Sequence, residues 1–217
     1  MPAQLEQIVS IWLSGGWTMI PLGALALFTY GLAAQMFLYF GKRGYLKVPI
    51  DTWSGWIDEP SKGEGEIGEI IRYAQDEAVK VSEVQNRFSE IIASKIPEMD
   101  RRINLLNVMV SAAPLLGLLG TVLGMLTTFE GISVGGSKTI DLIARGISEA
   151  LITTEMGLLV ALPGYVMAAM LKSHRNRYEA ILAQMESRTV QKFKLREVDE
   201  IEVDEDSAYE GLAPAAP

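Results

Sequence analysis

Asn107, Ser111, Pro114, Gly117, Thr121, Gly124 and Thr128 recur at intervals of three and four residues, so a helix through them presents one small, polar face. A second set, running from Glu149 through Thr153, Thr154, Gly157 and Ala161 to Gly164 and Ala168, shares one sector of another helix at about 100° per residue. Hydroxyls donate and accept hydrogen bonds without carrying charge. A face lined with them can hold water or pass a cation without trapping it. Thr121, Thr154, Thr153 and the carboxylate of Glu149 are therefore the candidate ion-pathway residues. Glu155 turns to about 240° from Glu149, away from that stripe. With Glu130 it makes up the additional ionisable candidates. The glycines have a plainer use: Gly117, Gly120, Gly124 and Gly157 suit helix packing, and Gly120-x-x-x-Gly124 is a small-xxx-small contact.

Such residues need helices long enough to carry them through a bilayer, and the chain has three candidates. No charged residue stands between Glu6 and Lys42, and within that gap Trp17–Phe40 is 24 residues long. Ile103–Phe129 is an uncharged run of 27, and 146–171 ends at Lys172 while containing Glu149 and Glu155. About 20 residues are enough to cross the hydrocarbon core as a helix. Thr121 lies eight residues before Phe129 and Thr154 eight past Gly146, each roughly 12 Å into its span. Packed antiparallel, the two hydroxyls arrive at one level. One subunit offers too few polar groups for a pore, which implies an oligomer.

Composition narrows the field. The chain has 217 residues, 49% of them apolar, and a mean hydropathy of +0.20 although 21% are charged. There is no cysteine and a single histidine, His174. Thiolate metal sites, disulfides and His-rich sites are excluded, and neither a metal nor a cofactor is expected. The net charge of −8 comes from residues 197–217, which hold eight acids and no base; residues 1–196 balance 19 acids against 19 bases. Nucleic-acid binding, which needs clustered basic surface, finds no support.

Lysine and arginine orient the spans by the positive-inside rule. Lys42, Arg43 and Lys47 follow the first, Lys95, Arg101 and Arg102 precede the second, and Lys172, Arg175 and Arg177 follow the third. Only Lys138 and Arg145 lie on the other side. The expected layout is a periplasmic N-terminus (1–16), a first span (17–40) and a cytoplasmic helical region (41–102). A second span (103–129), a periplasmic loop (130–145) and a third span (146–171) follow, then a cytoplasmic helix (172–196) and an acidic disordered tail (197–217). The first span reads as retained, since Met1–Gly16 has no basic n-region. From Ile67 to Ile92 apolar residues keep helical spacing, and residues 48–63, with Pro49, Pro60 and Gly63, read as a connecting loop. The fold class is an all-α integral membrane bundle, its three transmembrane helices extended into the cytoplasm.

These segments resemble the MotA/TolQ/ExbB proton-channel family. Ala113–Gly124 (APLLGLLGTVLG) is similar to its second-span motif, and Gly146–Pro163 (GISEALITTEMGLLVALP) to its third. The likeness covers residues 100–175 well and the rest in layout. It implies that Thr121, Glu149 and Thr154 are pore positions. It also implies a homo-pentamer around two copies of an ExbD/TolR-like single-span subunit bearing a membrane aspartate, acting on a TonB- or TolA-like protein from the bacterial inner membrane. Three spans, with the cytoplasmic insert between the first and second, resemble the ExbB/TolQ branch and not a four-span flagellar stator. Glu155 and Glu130 depart from the family pattern, which leaves proton or sodium open.

The function expected is an ion-conducting motor subunit. The alternatives are a non-conducting structural membrane scaffold and a flagellar-type stator subunit. An enzyme is not expected: His174 lies far along the chain from Ser111 and Thr121, and Gly131–Thr139 (GISVGGSKT) lacks the uninterrupted Gly-Lys step of a phosphate loop.

Overall fold

The computed structural model describes residues 2–42, 49–134 and 139–210. Six α-helices account for nearly all of them: α1 (Pro2–Ser14), α2 (Met19–Lys42), α3 (Ile50–Asp58), α4 (Gly65–Gln75), α5 (Val81–Val134) and α6 (Thr139–Glu210), with a short 3-10 turn at Pro60–Lys62 between α3 and α4. Among the described residues there is no strand. Three helices are long and apolar enough to cross a membrane, with the apolar stretches inside Met19–Gly41, Val81–Ser133 and Thr139–Glu197. The chain divides into two units, one of residues 1–39 and 100–173, the other of 40–99 and 174–217.

The first unit holds the apolar stretches. Gly15 and Gly16 separate α1 from α2, and Gly16 has φ +69°, a left-handed conformation that glycine adopts without steric cost. Residues 1–16 had suggested no element of their own, but 2–14 form α1. Trp12 of α1 packs on Gly23, where a Cβ would lie 2.7 Å from the indole. Pro21 is the third residue of α2, where no intrahelical partner exists for the missing N–H. Pro163 inside α6 also supplies no N–H to its ladder. Close by, the Val160 carbonyl accepts a hydrogen bond from Tyr30 Oη of α2 at 2.9 Å.

α5 and α6 run antiparallel along a seam of small residues. The buried positions of α5 from Ala113 onwards are Ala113, Gly117, Gly120, Gly124, Thr128 and Gly131. Contacts descend α6 as they ascend α5: Val110 meets Gly164, Ala113 meets Gly157, Gly117 meets Thr153 and Thr154, and Gly124 meets Gly146 and Ala150. A Cβ on Gly124 would stand 2.6 Å from the Gly146 carbonyl oxygen, and one on Gly157 2.8 Å from that of Ala113. Any larger residue would force the backbones apart.

The second unit is a helical bundle with a conventional apolar core. Trp53, Ile71, Ala74, Val84, Phe88, Tyr178, Leu182 and Met185 are each at most 1% exposed. Polar contacts surround it. Lys95 Nζ lies 3.1 Å from Glu66 Oε1, which also accepts from Tyr178 Oη at 3.4 Å. Lys192 Nζ donates to the Ile57 and Asp58 carbonyls at 2.5 and 3.3 Å, closing the C-terminal end of α3. Burial pushes the Lys192 ammonium below its ordinary pKa, with Asp58 acting against the shift. Arg188 stacks over Trp53 at 5.3 Å.

Four expectations change here. Residues 48–63 are not a plain loop, because Pro49 and Pro60 bracket α3: proline precedes the first helical residue and follows the last, and Trp53 and Ile57 are one turn apart on its buried face. The stripe from Ile67 to Ile92 is two helices. Glu77, at φ 50°, turns the chain after α4, and the Glu83 carboxylate accepts from the Val79 and Lys80 N–H groups to start α5. Residues 130–134 and 139–145, expected in a loop, are helical, since α5 reaches Val134 and α6 starts at Thr139; Lys138 lies outside the described residues. α6 continues through the acidic segment to Glu210, where disorder was expected. Between Tyr165 and Glu210 no glycine or proline interrupts a helix already nucleated. Residues 211–217 of that tail, like Arg43 and Lys47, lie outside the described residues.

Candidate functional site

The seam between α5 and α6 brings the two polar stripes together and sorts their members. Thr153 faces directly into it. It is 1% exposed, its methyl and hydroxyl cover Gly120, and its Oγ1 donates to the Glu149 and Ala150 carbonyls, each at 3.0 Å. Expected on an ion pathway, Thr153 instead sits between two helices of its own chain. Thr128 is buried in the same way against Gly146, its hydroxyl bonded to the Gly124 carbonyl at 3.0 Å.

Thr121 and Thr154 lie beside the seam, both half-buried. Thr154 Oγ1 is 3.3 Å from the carbonyls of Gly117, across the seam, and Ala150, one turn before it. Thr121 Oγ1 donates to the Leu118 carbonyl at 2.7 Å. The antiparallel register sets Thr154 opposite Gly117, one helical turn before Thr121. Among the described residues no hydrogen bond joins their hydroxyls, because each donor is taken up by backbone. Further along the same flank, Tyr165 Oη donates to Ser111 Oγ at 3.2 Å, and Ser111 donates to the Asn107 carbonyl at 2.8 Å. Ser111 belonged to the predicted stripe. Tyr165 did not, since an aromatic residue at helical spacing carries no signal of its polar end.

Glu149 takes the other flank of α6. It is half-buried, and its carboxylate rests against the backbone of Gly16 in the α1–α2 break. Ile152, three residues on, lies on the same flank against Gly15. The carboxylate and the Thr154 hydroxyl thus leave α6 on opposite sides of the seam. Glu155 and Glu130 are both exposed on the single chain. Gly117, Gly120, Gly124 and Gly157 are all buried in the seam. Among the described residues no group of three or more acidic, histidine or cysteine side chains is placed to hold a metal ion.

The model of the MotA/TolQ/ExbB proton channel family matches residues 63–186, more than half of the chain. The biopolymer transport protein exbB1 of Vibrio cholerae is 44% identical over 71 residues, which are 32% of this chain and 31% of that protein. TolQ of the Tol-Pal system of Haemophilus influenzae is 38% identical over 69 residues, 32% of this chain and 30% of TolQ. ExbB of Aquifex aeolicus is 36% identical over 98 residues, 45% of this chain and 63% of its own. The chain spans less than two thirds of the length of the curated relatives it matches. With three apolar helices of spanning length and a small-residue seam inside the matched region, this chain belongs to the MotA/TolQ/ExbB proton channel family, on its ExbB/TolQ-like branch.

Proposed function

We propose that this multi-pass inner-membrane protein is the ion-conducting subunit of a motor that uses the proton, or sodium, motive force to energise a TonB- or TolA-like protein spanning the periplasm. Five copies surround two single-span subunits of the ExbD/TolR type, whose membrane aspartate carries the ion. The N-terminus and the adjoining ends of α5 and α6 face the periplasm, and the second unit faces the cytoplasm. The observation that carries the reading is the flank formed by Thr121, Thr154, Ser111 and Tyr165. A hydroxyl within a span needs partners inside the protein or a water-filled cavity. Here the flank is half open on one chain, and neighbouring copies would enclose it. Lined by uncharged groups, it lets an ion pass between charged stations without a fixed charge of its own to hold it.

The seam bears on the scaffold reading, because Thr153 and the glycines serve packing whether or not ions flow. Thr121→Val and Thr154→Val, which keep side-chain volume and remove the hydroxyl, separate the two. The motor reading expects partner-dependent ion flux to fall at least about tenfold with assembly intact, a barrier change of about 1.4 kcal/mol. Unchanged flux in the double variant removes the pathway assignment and leaves the scaffold.

A further inference from the structure

Gly16 satisfies two separate demands at one position. Its φ of +69° disfavours most side chains. A Cβ built on it would also overlap Glu149 Oε1 and stand 3.2 Å from Cγ. Gly15 adds to the fit, since its Cβ would lie 2.7 Å from Met19 Sδ and 3.3 Å from Ile152 Cγ2. The α1–α2 elbow therefore packs on the flank of α6 that carries Glu149 and Ile152. The space a side chain at residue 16 would need is filled by a carboxylate 133 positions away. A turn alone explains the dihedral angle and leaves the occupied space unexplained.

We propose that Gly16 is a positioning residue for Glu149. Its bare backbone seats the carboxylate on the α2 side of α6 and holds it out of the Thr121–Thr154 flank. The inference rests on the ion-conducting reading for its consequence, though not for its geometry. Seated in this way, Glu149 contributes charge near the N-terminal end of α6 while the groove beside Thr154 stays uncharged. A shift of the elbow carries the carboxylate with it, so α1 and α2 set where that charge stands.

The test separates dihedral angle from space. Asparagine tolerates the left-handed region but brings a Cβ, so Gly16→Asn keeps the turn and evicts the carboxylate. In membrane vesicles from cells carrying the complete complex, Gly16→Asn is expected to lower ion flux about tenfold without loss of assembly. Shortening the acid by one methylene makes room, so Gly16→Asn combined with Glu149→Asp is expected to return to within about twofold of Glu149→Asp alone, as directly coupled residues do. Gly31→Ala, at a glycine with no atom within 4 Å of its Cβ position, is the silent control. Flux unaffected by Gly16→Asn, or a loss that Glu149→Asp does not relieve, overturns the proposal. A second arm needs no flux. The chain has no cysteine, so Gly16→Cys with Glu149→Cys is expected to give an intrachain disulfide on mild oxidation, read as a linked peptide by mass spectrometry, while Gly16→Cys with Thr154→Cys gives none. Absence of the first crosslink overturns the placement. A native complex that conducts nothing while forming that crosslink overturns the function and leaves the placement standing.

Discussion

The two units of this protein hold their helices together by opposite means. In the membrane-compatible unit, every buried residue of α5 from Ala113 to Gly131 is alanine, glycine or threonine, and the facing stretch of α6 is Gly146, Ala150, Thr153 and Gly157. In the other unit large side chains fill most of the core, among them Trp53, Phe88, Tyr178, Ile71 and Met185, with an ion pair and a cation–π contact around them. The difference follows from the solvent each region meets. Lipid tails are as apolar as leucine, so helices associate in a bilayer by close approach, van der Waals contact and hydrogen bonds. In water the removal of apolar surface does the work, at about 25 cal/mol per Å². The leucines at 115, 118, 119, 126, 151, 158, 159 and 162 are accordingly exposed on the single chain.

That contrast can be broken at either end. The largest effect on assembly is expected for Gly120→Leu, whose side chain would have to displace Thr153 from the seam. Overpacking a close helix contact costs typically 1–3 kcal/mol and more when backbone must move, so the variant should fail to give a monodisperse assembly in size-exclusion chromatography. Gly31→Leu, with open space at its Cβ, should assemble normally. Equal behaviour of the two would mean that the seam is not what holds the spans. Next comes Phe88→Ala in the second unit. Phe88 is 0% exposed, and truncating a buried phenylalanine costs about 3–5 kcal/mol. The expectation is a clearly lower thermal midpoint for the second unit with assembly of the spans retained, read by differential scanning calorimetry. An unchanged midpoint would break the comparison from the aqueous side.

The smallest effect sharpens one boundary. Hydrogen bonds from the Val79 and Lys80 N–H groups hold the Glu83 carboxyl below its ordinary pKa of 4.5. A lowered folded pKa means that the charged form favours the folded start of α5. Its contribution is complete above the unfolded value and is lost as pH falls through the folded one. Acidification below 4.5 should therefore lower the amide protection factors at Val79 and Lys80, measured against the intrinsic exchange rate at each pH, and Glu83→Gln should remove that dependence. Protection factors that stay flat with pH in the native chain would show that the carboxylate does not start α5.

The spans were legible because charge and hydropathy segregate along the chain. Other features were hidden for identifiable reasons. Proline marks a loop and a helix boundary equally well, so the α3 segment between Pro49 and Pro60 looked irregular. Helical spacing continues across a turn when the phase happens to match, so the break at Glu77 left no trace in the stripe.

What the chain's order of residues determined by itself is the set of helices, their lengths and the presence of a small, hydroxyl-bearing face on each of two spans, since these depend on local periodicity and composition. Only the tertiary structure decided which of two adjacent threonines enters the seam and on which flank the glutamate stands. Thr153 and Thr154 differ by about 100° on the helix, and only the facing Gly120 and Gly117 choose between them. Glu149 meets Gly16 across 133 residues, a contact written in neither neighbourhood, because it exists only once α2 has packed on α6.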